Sequence, residues 1–357
     1  MNPRQRAIAA LRRQPVDRPP VAYVAALAPT AIQERCGHPM PEVHHQPAGL
    51  AELAWANHVE LGFDAVSVLI NYFSMPAALG MPMDWGAPDR YPRCAATPWE
   101  RPEDAAIPDD LLERQPIRTN LEAIRIAKAR YGDQVAILGK VMGPLSLAQV
   151  MRGVDAMMMD LLDRPAAAQA CLEVCTEGLI RYANAQLAAG ADAISIGEGG
   201  AGANMVSPRL HRRHLLPVHR ALVAGIQGPT ILHICGDISP RLDALRETGL
   251  DWFNFDADIE PRCMVTEADG AFGLMGNINT TDLLMGPPDE IRRQVWRCLE
   301  AGVGIISPGC AVSPNCPPAN LRAMAEAVAA WSAGKADARG QRPRPSPRAE
   351  SIEQQRS

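Results

Sequence analysis

The chain has 357 residues, 47% of them hydrophobic and 21% charged, with a formal net charge of -5. That apolar content supports a sizeable core and excludes intrinsic disorder for most of the chain. The acidic balance speaks against a protein held to nucleic acid through phosphate contacts. No run approaches the ~20 apolar residues of a membrane span, and the opening MNPRQRAIAALRRQPVDRPP has no signal-peptide core. A cytoplasmic location is therefore expected, with no nucleic-acid or membrane partner. The nine cysteines are odd in number and scattered, which suits a reducing compartment and directs attention to metal binding rather than disulfides. At ~150 residues per domain the length allows two domains or one large α/β barrel.

In chain order, short β-branched or apolar runs predict strands at 21–26, 65–70, 135–141, 193–197, 230–235, 252–256, 273–278 and 304–308. Most are continuous rather than alternating, as parallel strands covered on both faces are. Helical segments lie between them, among them 119–131, 166–189, 240–248 and 288–301. Three junctions repeat one plan: AAGADAISIG, ETGLDWFNFD and EAGVGIISPG each end a helix on glycine and enter a strand. Eight strands in this alternation predict a (β/α)8 barrel, with a doubly wound open sheet as the alternative. Residues 71–118, rich in Pro, Gly and Asp, read as a loop-rich excursion over the barrel mouth. The barrel domain is expected over 1–333, with a disordered tail at 334–357.

The strongest local signal is His233-Ile234-Cys235-Gly236-Asp237 at the end of the fifth predicted strand. Residues two apart in a strand share a face, so His233 and Cys235 project into the same space. Cys310, in Ser307-Pro308-Gly309-Cys310, follows the eighth strand, and strand ends converge on one rim of a barrel. One imidazole and two thiolates make a three-donor set for Zn²⁺ with a position left open, as in catalytic sites. The pattern alone leaves a second reading open: buried cysteines and a lone strand histidine are also ordinary core groups.

The segments HICGDISPRLDALRETGLDWFNFD, GNINTTDLLMGPPDEI and ISPGCAVSPNCPPANLRAM resemble the corrinoid-dependent branch of the uroporphyrinogen decarboxylase superfamily, whose members include methylcobalamin:coenzyme M methyltransferases. The resemblance runs from about residue 4 to about residue 331. It implies a TIM barrel with zinc on His233, Cys235 and Cys310. It also implies a methyltransferase that moves a methyl group from a methylated corrinoid to a zinc-activated small thiol such as coenzyme M. The decarboxylase branch fits less well. Its arginine-bearing segment is replaced by AYVAALAPTAI, and its catalytic aspartate falls at Asn71, near the pocket for the cofactor, where an amide cannot shuttle a proton. No Asp-x-His-x-x-Gly cobalamin signature is present, so methylcobalamin is expected on a separate corrinoid protein or free in solution.

Further residues take expected roles at the strand ends. Glu198 is a candidate labile fourth ligand or base for the thiol proton, or else a solvated rim carboxylate or a partner for a helix N-terminus. Asp256 is expected to accept a hydrogen bond from His233, or to cap the next helix. Asn277 shapes the pocket floor or meets the methyl carrier, or serves a turn. Lys140 reaches the mouth to hold an anionic substrate tail, or snorkels without a ligand. His211, His214 and His219, interleaved with Arg209, Arg212, Arg213 and Arg220, read as a solvated basic face. Cys171 and Cys175 read as core residues, and Cys316 ranks below Cys310 as a ligand. The alternatives to thiol methylation are porphyrinogen decarboxylation, methyl transfer to tetrahydrofolate, and a zinc-binding accessory role without turnover.

Overall fold

A computed structural model describes residues 1–340, apart from 26, 69, 70 and 203. Nine strands are found among these residues: β1 Ala65–Ser67, β2 Met83–Asp84, β3 Arg93–Cys94, β4 Ala136–Met142, β5 Ala193–Gly197, β6 Thr230–His233, β7 Trp252–Asn254, β8 Gly273–Ile278 and β9 Ile305–Pro308. Seven of them form one parallel sheet in the order β1-β4-β5-β6-β7-β8-β9. The sheet is curled, and the N-terminal segment joins its two edges. Ala22 N–H donates to Ile306 O and Ile306 N–H to Pro20 O, while Asp64 N–H donates to Val21 O. The expected strand 21–26 is thus a single bridge, Val21 to Ile306, in the eighth staves' place; residue 26 lies outside the described residues, as do residues 69 and 70 of the expected strand 65–70. The architecture is the TIM barrel anticipated from the strand–helix alternation.

Period-two alternation explains the barrel interior. Ala65, Ala136, Leu138, Ala193, Ile231, Trp252, Met275 and Ile305 pack together with Ala7, Ala10 and Leu11 of the helix Pro3–Leu11. That helix plugs the N-terminal end, and the Trp252 indole N–H donates to Leu11 O at 3.0 Å. Two residues further along each strand the same inward face turns polar: Ser67, Lys140, Ser195, His233, Asn254, Asn277 and Ser307, all buried. The strands therefore build an apolar floor and a polar upper layer at their C-terminal ends, where barrels carry their chemistry.

The expected helices are present, at Ile117–Tyr131, Pro165–Ala189 and Pro288–Ala301. Gly190 and Gly302 end the last two with φ of 117° and 95°, the left-handed cap read from the junction motifs. Segment 240–248 is a 3-10 turn, Ser239–Arg241, followed by the short helix Leu242–Arg246. The excursion 71–118 is less loop-like than expected. It opens with a helix, Asn71–Ala78, and holds the antiparallel pair β2–β3. Pro76 inside that helix masked it in the sequence. The last helix, Pro318–Gly340, continues past the expected tail boundary at 334; residues 341–357 lie outside the described residues. No helix among the described residues is long and apolar enough to cross a membrane.

Candidate metal centre at the barrel mouth

His233 ends β6, Cys235 lies two residues beyond it, and Cys310 lies two residues beyond the end of β9. Their ligand atoms all fall within 4.8 Å of one another. Cys235 Sγ is 3.3 Å from His233 Nε2 and 3.6 Å from Cys310 Sγ. A hydrogen bond from the Cys235 thiol, with the nearby His233, holds Cys310 well below the usual thiol range, against the opposing effect of burial. The same bond and burial push Cys235 up. The two sulfurs thus share one thiolate readily, and a cation is the natural way to hold both as thiolates. Close packing supports the cluster: a Cβ on Gly309 would lie 2.9 Å from Ala257 N, so the chain before Cys310 can lie against the loop that follows β7.

Lys140, on the inward face of β4, is buried, and its ammonium stands 5.2 Å from the centroid of the Tyr72 ring. Burial lowers its pKa to about 8, while Cys310 and Cys235 act to raise it. Lys140 and Tyr72 both line a small pocket of about 20 Å³ whose other walls include Tyr23, Ser67, Phe73 and Tyr91. Burial also raises the Tyr72 hydroxyl, with Glu198 and Cys235 adding to the shift.

The other expected residues are aimed differently. The Glu198 carboxylate, fully buried, turns toward the N-terminus of the helix Pro144–Arg152 rather than joining the donor cluster. It accepts from Ser146 N–H and Ser146 Oγ, each at 2.7 Å, and from Leu145 N–H at 3.3 Å. Helix N-termini favour such a carboxylate. His219 Nε2 lies 3.0 Å from its other side. Asp256 does not meet His233: its carboxylate accepts from Gly236 N–H at 2.8 Å and Ala257 N–H at 2.6 Å, while the His233 ring bonds Asn254 O. Asn277 donates to Asp256 O and Ile259 O and accepts from the Cys298 thiol, which fixes it as a brace for the β7 loop. Asn71 begins its helix, and its side chain lies outside what is described.

The solvated histidine face is corrected. His211, His214 and His219 are all buried, whereas Arg209, Arg212, Arg213 and Arg220 are exposed. The stretch is amphipathic in the opposite sense, with Leu215, Val218 and Leu222 sharing the histidines' buried face. A π-helical turn at His211–Leu215 inserts one residue and brings both His211 and His219 inward. Cys171 and Cys175 are buried in the core as read. Cys316 is buried apart from the cluster and donates to Leu283 O at 2.9 Å.

The Uroporphyrinogen decarboxylase (URO-D) family model matches residues 2–331. The chain belongs to the URO-D family. The Methylcobamide:CoM methyltransferase MtaA of Methanosarcina barkeri is 32% identical over 325 residues, spanning 90% of this chain and 96% of its own. The Methylcobamide:CoM methyltransferase MtbA of Methanosarcina acetivorans is 30% identical over 329 residues, spanning 91% of this chain and 96% of its own. A solved methyltransferase from Methanosarcina mazei superposes with a TM-score of 0.90 at 30% identity, covering 93% of this chain and 99% of that one. The URO-D match coincides with the stretch in which the sequence resemblance was read. Within this URO-D barrel, sequence reasoning missed Asn254, Tyr72, Ser146 and His219. For His219 a signal existed: it shares the helical stripe of Leu215 and Leu222.

Proposed function

We propose that this chain is a zinc-dependent methyltransferase that moves a methyl group from a methylated corrinoid, carried by a separate corrinoid protein, to a small thiol. The observation that carries the reading is the convergence of His233, Cys235 and Cys310 at the barrel mouth. The donor set fits the metal. Two soft sulfurs and one imidazole suit zinc, and His233 Nδ1 is engaged by Asn254 O, which leaves Nε2 on the side of the sulfurs. The names of the two Methanosarcina relatives, methylcobamide:CoM methyltransferases, support the donor and the thiol acceptor.

Zinc held by these three residues would supply the charge that keeps a thiol deprotonated at neutral pH and holds its sulfur as a nucleophile. Lys140, within electrostatic reach of Cys310 and Cys235, binds the anionic end of the acceptor. Asp256 organises the loop that carries Cys235 through the Gly236 amide, while Glu198 pins the start of the helix Pro144–Arg152 through the Ser146 amide. In the transfer, the sulfur lone pair forms the new bond to the methyl carbon. The cobalt–carbon bonding pair stays with the corrinoid.

The test is turnover. Reduced protein with methylcobalamin and a panel of thiols should consume the methyl-corrinoid absorbance and yield a thioether seen by mass spectrometry. The Cys310→Ser variant should lose on the order of 100-fold or more of that rate. Full turnover by Cys310→Ser would sink the proposal, as would release of CO₂ from uroporphyrinogen III in place of methyl transfer.

A further inference from the structure

Asn254 closes β7 and is fully buried. Its backbone carbonyl lies 3.2 Å from His233 Nδ1. A carbonyl only accepts, so Nδ1 carries the proton and Nε2, beside Cys235 Sγ, presents its lone pair. The Asn254 side chain reaches in the opposite direction. Its Nδ2 donates toward Met275 O on β8 at 3.2 Å, Pro308 O on β9 at 3.2 Å and Ser307 Oγ at 3.4 Å. Ser307 Oγ in turn donates to Pro308 O at 2.9 Å. Pro308 is two residues before Cys310. One residue therefore grips the imidazole donor through its main chain and the strand end carrying a thiol donor through its side chain.

We propose that Asn254 is the positioning residue of the metal centre, fixing the tautomer of His233 and the spacing between His233 and Cys310. The side chain's chemistry points the same way. Three oxygens face Nδ2, so a carboxylate there meets repulsion and an aliphatic group leaves buried acceptors unmet. The Asn254 Oδ1 atom is itself buried without a partner. The position tolerates that cost for what the amide donates. Groups that orient metal ligands in this way commonly govern affinity as strongly as 10–100-fold. The inference rests on the metal reading of the preceding section, and its test separates the two.

The experiment is a Co²⁺ titration of the full, reduced, metal-free chain, followed by absorption. The wild type should bind Co²⁺ with a sulfur-to-cobalt charge-transfer band. Asn254→Asp keeps the size and loses the donor; it should weaken Co²⁺ binding about 10–100-fold and change the band. Ser307→Ala, a milder change for use where Asn254→Asp does not fold, should shift both readouts in the same direction by less. Asn320→Asp is the control. Asn320 is a buried asparagine donating to Leu283 O and Gly286 O, outside the centre. That variant should melt at lower temperature with an unchanged cobalt spectrum. Wild-type affinity and spectrum in both Asn254→Asp and Ser307→Ala would overturn the inference and leave the metal reading standing. An equal spectral change in Asn320→Asp would overturn it too, by making the effect one of general stability. A wild type that takes up no Co²⁺ through sulfur would overturn both.

Discussion

Cys310 and Cys316 lie six residues apart in one proline-rich segment, yet their surroundings set them to different tasks. Cys310 Sγ stands 3.6 Å from Cys235 Sγ in the donor cluster, whereas burial pushes the Cys316 thiol up to about 12, where it stays a donor to Leu283 O. Cys316→Ala should therefore leave metal content unchanged and cost a modest amount of stability, measured by metal analysis beside thermal melting. Lys140→Met should raise KM for an anionic thiol by about 10–100-fold and leave an uncharged thiol nearly unaffected, since one charged hydrogen bond contributes about 1.5–3 kcal/mol. Equal effects on both thiols would remove Lys140 from substrate binding. The donors were legible because strand period and strand ends place them without any knowledge of packing. The aim of a rim side chain was not. Asp256 sits where it was expected and still bonds Gly236 rather than His233, because Asn254 O, one strand pleat earlier, already occupies the ring nitrogen.

Elements with strong period and capping were readable nearly to the residue, as Pro165–Ala189 and Pro288–Ala301 show. The helix Asn71–Ala78 was hidden by its internal proline, and in the helical stretch around His211 the arginines disguised the buried face. The close fit between elements is testable at Gly143. A Cβ there would stand 2.2 Å from the Glu198 carboxylate, so Gly143→Ala should displace that group from the helix N-terminus and destabilise the fold by about 1–3 kcal/mol in urea unfolding. The buried histidines give a pH signature. Burial lowers both His44 and His211 to about 3 from an ordinary 6.5. The folded chain keeps them neutral while the unfolded chain takes up protons below pH ~6.5. Stability is thus full above that pH and falls below it, by up to about 1.4 kcal/mol per pH unit for each histidine. The loss between pH 7.5 and 5.5 should shrink in His211→Gln; an undiminished loss would contradict this assignment.

Across the whole molecule, stability and chemistry occupy opposite ends of the barrel. At the floor, fully buried Asp64 accepts from Arg6 at 2.6 Å, from Arg18 at 2.9 Å and from Val21 N–H at 2.8 Å, which ties the N-terminal segment into the gap between β1 and β9. Asp64→Ala removes the buried carboxylate that Arg6 and Arg18 share, leaving Arg6 its part-exposed partner Asp17, and should cost about 3 kcal/mol, with Co²⁺ affinity unchanged in the folded fraction. The polar upper layer carries His233, Cys235 and Cys310. The most direct measurement is the zinc content of freshly purified, reduced protein beside a His233→Ala/Cys235→Ala double variant. About one zinc per chain, lost in the double variant, is the predicted result. A wild type without zinc, or a double variant that retains it, would contradict the metal centre and the thiol chemistry built on it.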